Sequence, residues 1–158
     1  SPRPLPPEID RELLLTMLLS REDQSTTAVG GGIAIPHPRS PVIYAGLESQ
    51  VSLCLLQTPI PFGAEDGQPV TAVFTVLAPT VRVHLQLLAR LASMICSDSF
   101  RELIRRKASD QELLGAVEQA QRARLSRAIT KQSSFIIGFL SVVRDCDLGL
   151  LRLGVDGC

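Results

Sequence analysis

Two rhythms of apolar and polar residues run along this chain. Ile9, Leu13, Leu14, Met17 and Leu18 recur at helical spacing, which predicts a helix stopping near Ser20 or Arg21. Pro7 suits the first turn of that helix, where its missing N–H costs nothing. Glu8 and Asp10 are well placed against its positive end. Residues 51–57 and 70–78 are instead nearly continuous apolar runs, bounded by Thr58-Pro59, by Asp66-Gly67 and by Pro79. Such runs are what strands buried on both faces look like. They predict an α/β fold, a sheet with helices on both sides.

The helical rhythm returns after Pro79. Thr80 can cap a second helix, whose stripe is His84, Leu88, Leu91 and Ile95 with Leu87 and Met94 beside it. A third helix is expected from Asp98 or Ser99. A fourth is expected from Ser109, where Glu112 completes a capping box and Leu113, Leu114 and Val117 share a face. Past Gln121 the pattern weakens. Residues 135–143 read either as a strand or as a buried helix, and the rest of the tail to Cys158 has no readable pattern. Pro2, Pro4, Pro6 and Pro7 make residues 1–7 a stiff linker. The expected organisation is therefore a linker at 1–7, one domain at 8–121 and an unassigned tail at 122–158.

At 158 residues the chain is long enough for one domain with a sizeable core. Its formal net charge is zero, which argues against a broad nucleic-acid footprint. Arg101, Arg105, Arg106 and Lys107 form a local basic patch, read as the solvated end of a helix. The four cysteines are scattered with no Cys-x-x-Cys pair, which disfavours a metal site. Cys54 and Cys96 lie in apolar runs and are expected to act as small buried hydrophobes. This usage suits a reducing cytoplasm. No run approaches the roughly twenty apolar residues of a membrane span, and no signal peptide follows Ser1. The first residue is not methionine, as expected of a fragment or a processed product.

The unusual stretch is residues 26–41. Gly30, Gly31 and Gly32 precede a short apolar run, Ile33-Ala34-Ile35, and then Pro36-His37-Pro38. Flanking prolines fix φ and restrict their neighbours, so His37 sits on a stiffened turn at a strand end. A neutral imidazole is abundant near pH 7 and can attack phosphorus without a strong base. What a protein adds to phosphoryl transfer is positioning and charge stabilisation. Gly30, Gly31 and Gly32 could offer backbone donors to phosphate oxygens, and Arg21 a forked cation. His84, in a first helical turn on an apolar stripe, should point inward and stay neutral beside the helix's positive end. Each residue also has a plainer reading. A histidine on a proline loop is usually an ordinary surface residue. One on an apolar helix face is usually hydrogen-bonded core, and a glycine triplet simply marks a loop.

Taken in order, the motifs resemble one family. Ser20-Arg21-Glu22, Ser25-Thr26-Thr27-Ala28-Val29-Gly30, Gly32-Ile33-Ala34-Ile35-Pro36-His37, Asp66-Gly67-Gln68-Pro69-Val70, His84-Leu85-Gln86-Leu87-Leu88-Ala89 and Ser109-Asp110-Gln111-Glu112-Leu113-Leu114 are similar to successive elements of the enzyme IIA domain of the fructose/mannitol class. That class of the bacterial phosphotransferase system includes the nitrogen-regulatory IIA proteins. The resemblance implies a mixed sheet flanked by helices, and a phosphohistidine at His37 with Arg21 and His84 as helpers. It implies a histidine phosphocarrier protein as phosphate donor, and a IIB component or a regulatory target as recipient. It implies no cofactor or metal, no direct nucleic acid and a cytoplasmic location.

Three features depart from the pattern. The family domain begins with another helix and strand before the segment that starts here, and their absence could leave a sheet edge or core face uncovered. The tail at 122–158 does not resemble the family; it could replace the missing part, be a linker or derive from a frame error. Pro38 stands where many members carry glycine, which should stiffen the loop. A phosphocarrier is the expected function, and a module that signals by its phosphorylation state is the alternative.

Overall fold

The two apolar runs fold as the centre of a sheet. In the computed structural model, which describes residues 9–39, 49–127 and 140–146, β3 (Gln50–Ile60) and β4 (Val70–Leu77) pair antiparallel from Gln50↔Leu77 to Leu55↔Ala72. Before them come α1 (Arg11–Glu22), β1 (Ala28–Gly30) and β2 (Ile33–Ala34). After them come α2 (Val81–Ile95), α3 (Asp98–Arg105), α4 (Asp110–Arg127) and β5 (Leu140–Cys146). The strand order is β1-β2-β4-β3-β5. β2 runs parallel to β4 and β5 parallel to β3, so the sheet is mixed. The expected α/β class and mixed sheet are what the chain adopts.

Burial on both faces explains the continuous apolar runs. On one face Ala72, Phe74 and Val76 of β4, with Val51, Leu53 and Leu55 of β3, meet α2, α3 and α4 through Leu87, Leu91, Phe100, Ile104, Leu113 and Val117. On the other, Leu77 packs with Ile9 and Leu14 at α1, while Val73 packs with Ala34 and Leu56. Each such side chain contributes about 1.5–3 kcal/mol when fully buried. The helices therefore lie on both sides, as the apolar runs predict.

The caps follow the local chemistry. Thr80 Oγ1 accepts the Val83 N–H at 3.3 Å. Ser109 and Glu112 form the reciprocal capping box, with the Ser109 N–H donating to Glu112 and the Glu112 N–H to Ser109 Oγ. At the first helix the expected start moves. Asp10, rather than a first turn around Pro7, caps α1 by accepting the Glu12 and Leu13 N–H groups at 2.9 and 3.1 Å.

Several other expectations are corrected. The inward stripe of α2 is His84, Leu87, Leu91 and Ile95, with Leu88 half-buried. Leu13 is 58% and Leu114 38% exposed, because each lies on the outer side of a helix whose neighbouring residue, Leu14 or Leu113, takes the core position. Cys96 is an exposed free thiol at the end of α2, since Ile95 already fills the inward place. Cys54 is disulfide-bonded, not a reduced buried hydrophobe. The basic patch does lie at the exposed end of α3, as read, and its side chains are also paired. Arg105 pairs with Glu102, Arg106 with Glu112, and Arg101 donates to the Ile95 carbonyl. Lys107 Nζ donates to the Leu56 carbonyl at 2.9 Å.

The stretch past Gln121 also acquires structure. α4 runs on without a break to Arg127. Residues 140–146 form a strand, which resolves the strand-or-helix ambiguity there, and Val142 packs against the main core. The proline linker and the last part of the tail fall outside the described residues.

Candidate active site

β2 is only two residues long, yet it fixes everything around His37. Ile33 and Ala34 pair with Ala72 and Val73 of β4 and are fully buried. On the other side β2 pairs antiparallel with β1, and the Ile35 N–H extends the ladder by donating to the Thr27 carbonyl at 3.0 Å. Ile35, Pro36 and Pro38 are buried, so the half-buried His37 is clamped by core on both sides. Its Nδ1 lies 2.7 Å from the Ile35 carbonyl oxygen. A carbonyl only accepts, so in the neutral ring this contact puts the proton on Nδ1 and leaves the lone pair on Nε2.

α2 supplies the neighbour. His84 lies in the first turn, 6% exposed, with its N–H donating to the Thr80 carbonyl at 2.9 Å. The rings of His37 and His84 are 5.4 Å apart, centroid to centroid, and tilted by 45°. Burial, and secondarily the charge His37 can carry, push the His84 imidazole below its ordinary value. His84 thus points inward and favours the neutral form as expected, with burial as the main cause.

The end of α1 closes the same region. Arg21 Nη1 donates to both the carbonyl and the hydroxyl of Ser25 at 3.0 Å. Among the described residues, its hydrogen bonds are to Ser25 and none is to His37. The next residue, Glu22, accepts the Thr27 N–H at 2.7 Å and the Thr27 hydroxyl at 2.5 Å. Arg39, two residues past His37, reaches back to Gln24 Oε1 at 3.3 Å. Sequence reasoning assigned no role to Glu22, Thr27 or Arg39. The first two stood inside the quoted Arg-Glu and Ser-Thr motifs, so their signal was present. For Arg39 only its nearness to His37 pointed the way.

The glycine triplet is placed elsewhere. Gly30, Gly31 and Gly32, with φ of +80°, +62° and +74°, make the reversal between β1 and β2. That reversal is at the closed end of the hairpin, whereas His37 follows its open end. The Gly31 N–H is already taken by Asp66 Oδ2 at 2.7 Å. Positive φ is what the turn requires, and the triplet makes that turn; of its three N–H groups, that of Gly31 is engaged by Asp66.

The arrangement brings together an imidazole fixed at Nδ1, a second, buried imidazole beside it, and an arginine docked on Ser25 at the end of α1. Residues 8–120 match the family described as phosphoenolpyruvate-dependent sugar phosphotransferase system, EIIA 2. A protein of Pseudomonas aeruginosa named nitrogen regulatory protein is 35% identical over 73% of this chain and 74% of its own length. The crystal structure of nitrogen regulatory protein IIA-Ntr from Neisseria meningitidis superposes with a TM-score of 0.54 at 31% identity, over 64% of this chain and 68% of that one. The complex of enzyme IIA and phosphorylated enzyme IIB for mannitol from Escherichia coli shares the fold, with a TM-score of 0.58 at 22% identity, over 69% of this chain and 75% of that one. With its mixed sheet, its strand-end histidine and this match over most of its length, the chain belongs to the EIIA 2 family of the phosphoenolpyruvate-dependent sugar phosphotransferase system.

Proposed function

We propose that this chain carries a phosphoryl group on Nε2 of His37, received from the phosphorylated histidine phosphocarrier protein. The observation that carries the reading is the 2.7 Å contact of Nδ1 with the Ile35 carbonyl, which holds the proton on Nδ1 and leaves the lone pair on Nε2. That lone pair attacks the phosphorus on the donor's phosphohistidine. The donor's N–P bond breaks, its imidazole keeps the electron pair, and a new Nε2–P bond forms. The proton stays on Nδ1, hydrogen-bonded to the Ile35 carbonyl oxygen, which also supports the positive ring of the phosphorylated imidazole. His84, neutral and 5.4 Å away ring to ring, can donate an N–H to a phosphoryl oxygen. Arg21, held on Ser25 in the unphosphorylated chain, would leave it to pair with the arriving negative charge. A cytoplasmic location goes with this reading, because the donor is cytoplasmic.

The test is incubation with phosphoenolpyruvate, enzyme I and the phosphocarrier protein. The expected product is an acid-labile, base-stable phosphate on wild type and none on His37→Ala. Full labelling of that variant would remove the reading.

A second reading is favoured by the names of the relatives just described. The recipient of the signal would then be a regulatory target, and the phosphoryl group a switch that adds a doubly negative charge at the His37 loop. Transfer to a IIB cysteine, as the mannitol complex invites, would support carriage. Phosphate that stays on the chain in the presence of IIB proteins would favour signalling.

A further inference from the structure

The hydrogen bonds at the end of α1 form a chain that leads to the His37 ring. Glu22 Oε1 accepts the Thr27 N–H at 2.7 Å, and Oε2 accepts the Thr27 hydroxyl at 2.5 Å. The Thr27 carbonyl accepts the Ile35 N–H at 3.0 Å. The Ile35 carbonyl faces His37 Nδ1 at 2.7 Å. Thr27 is 6% exposed and Ile35 7%, so the middle of the chain is shielded from competing water, while Glu22 and His37 at its ends are half-buried. We infer that Glu22 is a positioning residue for the phosphoryl transfer, acting through Thr27 and Ile35 to hold the His37 imidazole in the Nδ1–H tautomer.

β1 is three residues long and, among the described residues, lies at the edge of the sheet with β2 as its one partner. So short an edge strand has little ladder to hold its register. Both acceptor atoms of Glu22 are spent on one residue, Thr27, at the point where β1 begins. Thr27 in turn is the last rung of the hairpin before the chain turns into Pro36-His37-Pro38. A carboxylate accepting two bonds is roughly twice as strong an anchor as a neutral acceptor. Removing it frees Thr27, and with it the peptide plane of Ile35 whose oxygen decides where the ring proton resides. The His37 ring would then sample the Nε2–H tautomer, in which the attacking lone pair is on the wrong nitrogen.

The inference rests on the proposed role of His37, but its test does not need phosphate. Nitrogen-15 and proton correlation spectra of the whole unphosphorylated chain report the His37 tautomer directly. Wild type is expected as Nδ1–H, and Glu22→Ala as a mixture with substantial Nε2–H. Glu22→Gln should stay close to wild type, since its amide oxygen still accepts the Thr27 N–H and its amide nitrogen can donate to the hydroxyl. In phosphoryl transfer from the phosphocarrier, Glu22→Ala should lose about ten- to a hundredfold in kcat with KM unchanged, and Glu22→Gln should recover most of it. A folded Glu22→Ala with wild-type tautomer would overturn the inference. If that variant does not fold, Glu22→Asp, which retracts the carboxylate by one methylene, takes its place with the same two outcomes. Should His37 prove not to accept phosphate, the tautomer measurement still decides whether the relay exists.

Discussion

His84 lies with its ring tilted 45° against that of His37, yet the two imidazoles live in different environments. His37 is half-buried on a loop and tied at Nδ1, while His84 is 6% exposed inside the first turn of α2. Two identical side chains thereby suit two proposed roles: His37, tied at Nδ1, as the acceptor, and His84, which burial biases toward the neutral form, as a donor beside it. His84→Ala is expected to slow phosphoryl transfer to His37 by about a hundredfold, in the range seen when a single preorganised donor is lost. His84→Gln, which keeps an N–H donor, should lose less. Quench-flow labelling of the two variants measures this, and equal rates for both would show that donation by His84 is not what matters.

The same burial predicts a pH dependence. Burial in the folded state holds the His84 imidazole below its ordinary value of about 6.5, so the unfolded chain binds the extra proton more readily. Stability is therefore undiminished above about pH 6.5 and falls as the pH drops below it. Glu112 titrates in a lower window. Its contacts with Arg106 and Ser109 lower its carboxyl from 4.5 to about 2, so its contribution is present above 4.5 and is lost as the pH falls toward 2. Urea midpoints measured between pH 8 and 5 should fall in wild type and stay flatter in His84→Gln. A parallel fall in both would assign the slope to other groups.

Much of this was legible in the chain because it is local. The capping box at Ser109 and Glu112, the cap at Thr80, and the two strands buried on both faces follow from neighbouring residues and period. The juxtaposition of His37 with His84 was not readable from spacing. It depends on β2 lying parallel to β4, a contact between segments far apart in sequence, and only family resemblance pointed to it. Positive φ serves a turn as well as an anion site, and the pairing of Ala28 with Ala34, which places the triplet at the reversal of the hairpin, could not be read from the glycines alone. Residues 135–143 read equally as a strand or a buried helix, because a strand added parallel at an edge has no hairpin signal to announce it; 140–146 are strand, and 135–139 lie outside the described residues.

The turn itself gives a contrast between two glycines. A Cβ at Gly32 would sit 3.1 Å from Thr71 Oγ1 and 3.3 Å from the Pro69 carbonyl oxygen, on a residue at φ +74°. Gly67 has φ +67° with nothing within 4 Å of a built Cβ. Gly67→Ala therefore meets only the backbone cost, about 1 kcal/mol. Gly32→Ala adds a clash with backbone, and about 2–3 kcal/mol is expected in all. Denaturant unfolding of the two variants checks the order, and a Gly67→Ala loss as large as that of Gly32→Ala would contradict it.

Arg21 is docked on Ser25 by two bonds from one nitrogen. Its second terminal nitrogen and its Nε retain donors for an arriving anion. Arg21→Ala is expected to reduce transfer by about ten- to a hundredfold, the weight of one charge-assisted contact. Arg21→Lys should recover charge but not the fork, and fall between. Ser25→Ala releases the guanidinium from the hydroxyl only, so its effect should be within about twofold of wild type. Transfer rates for the three variants test the ordering; wild-type rates in Arg21→Ala would remove the residue from the site.

The last expectation concerns β5. It covers the long edge of β3 from Val51 to Leu56, and Val142 adds an apolar contact to the main core. A chain cut after Arg127 loses that cover and leaves β3 as an open, apolar edge, the kind of surface that recruits a second strand. The cost in stability should be at least about 2 kcal/mol from lost burial alone, with a tendency to associate. The site lies on the other side of the sheet's centre, on β2 against β4, so phosphorylation of His37 should survive in the folded fraction. Urea unfolding and light scattering of the truncated chain, followed by phosphocarrier labelling, separate the two effects. An unchanged midpoint would show that β3 does not need the strand. Lost labelling at full stability would instead show that the tail reaches the site.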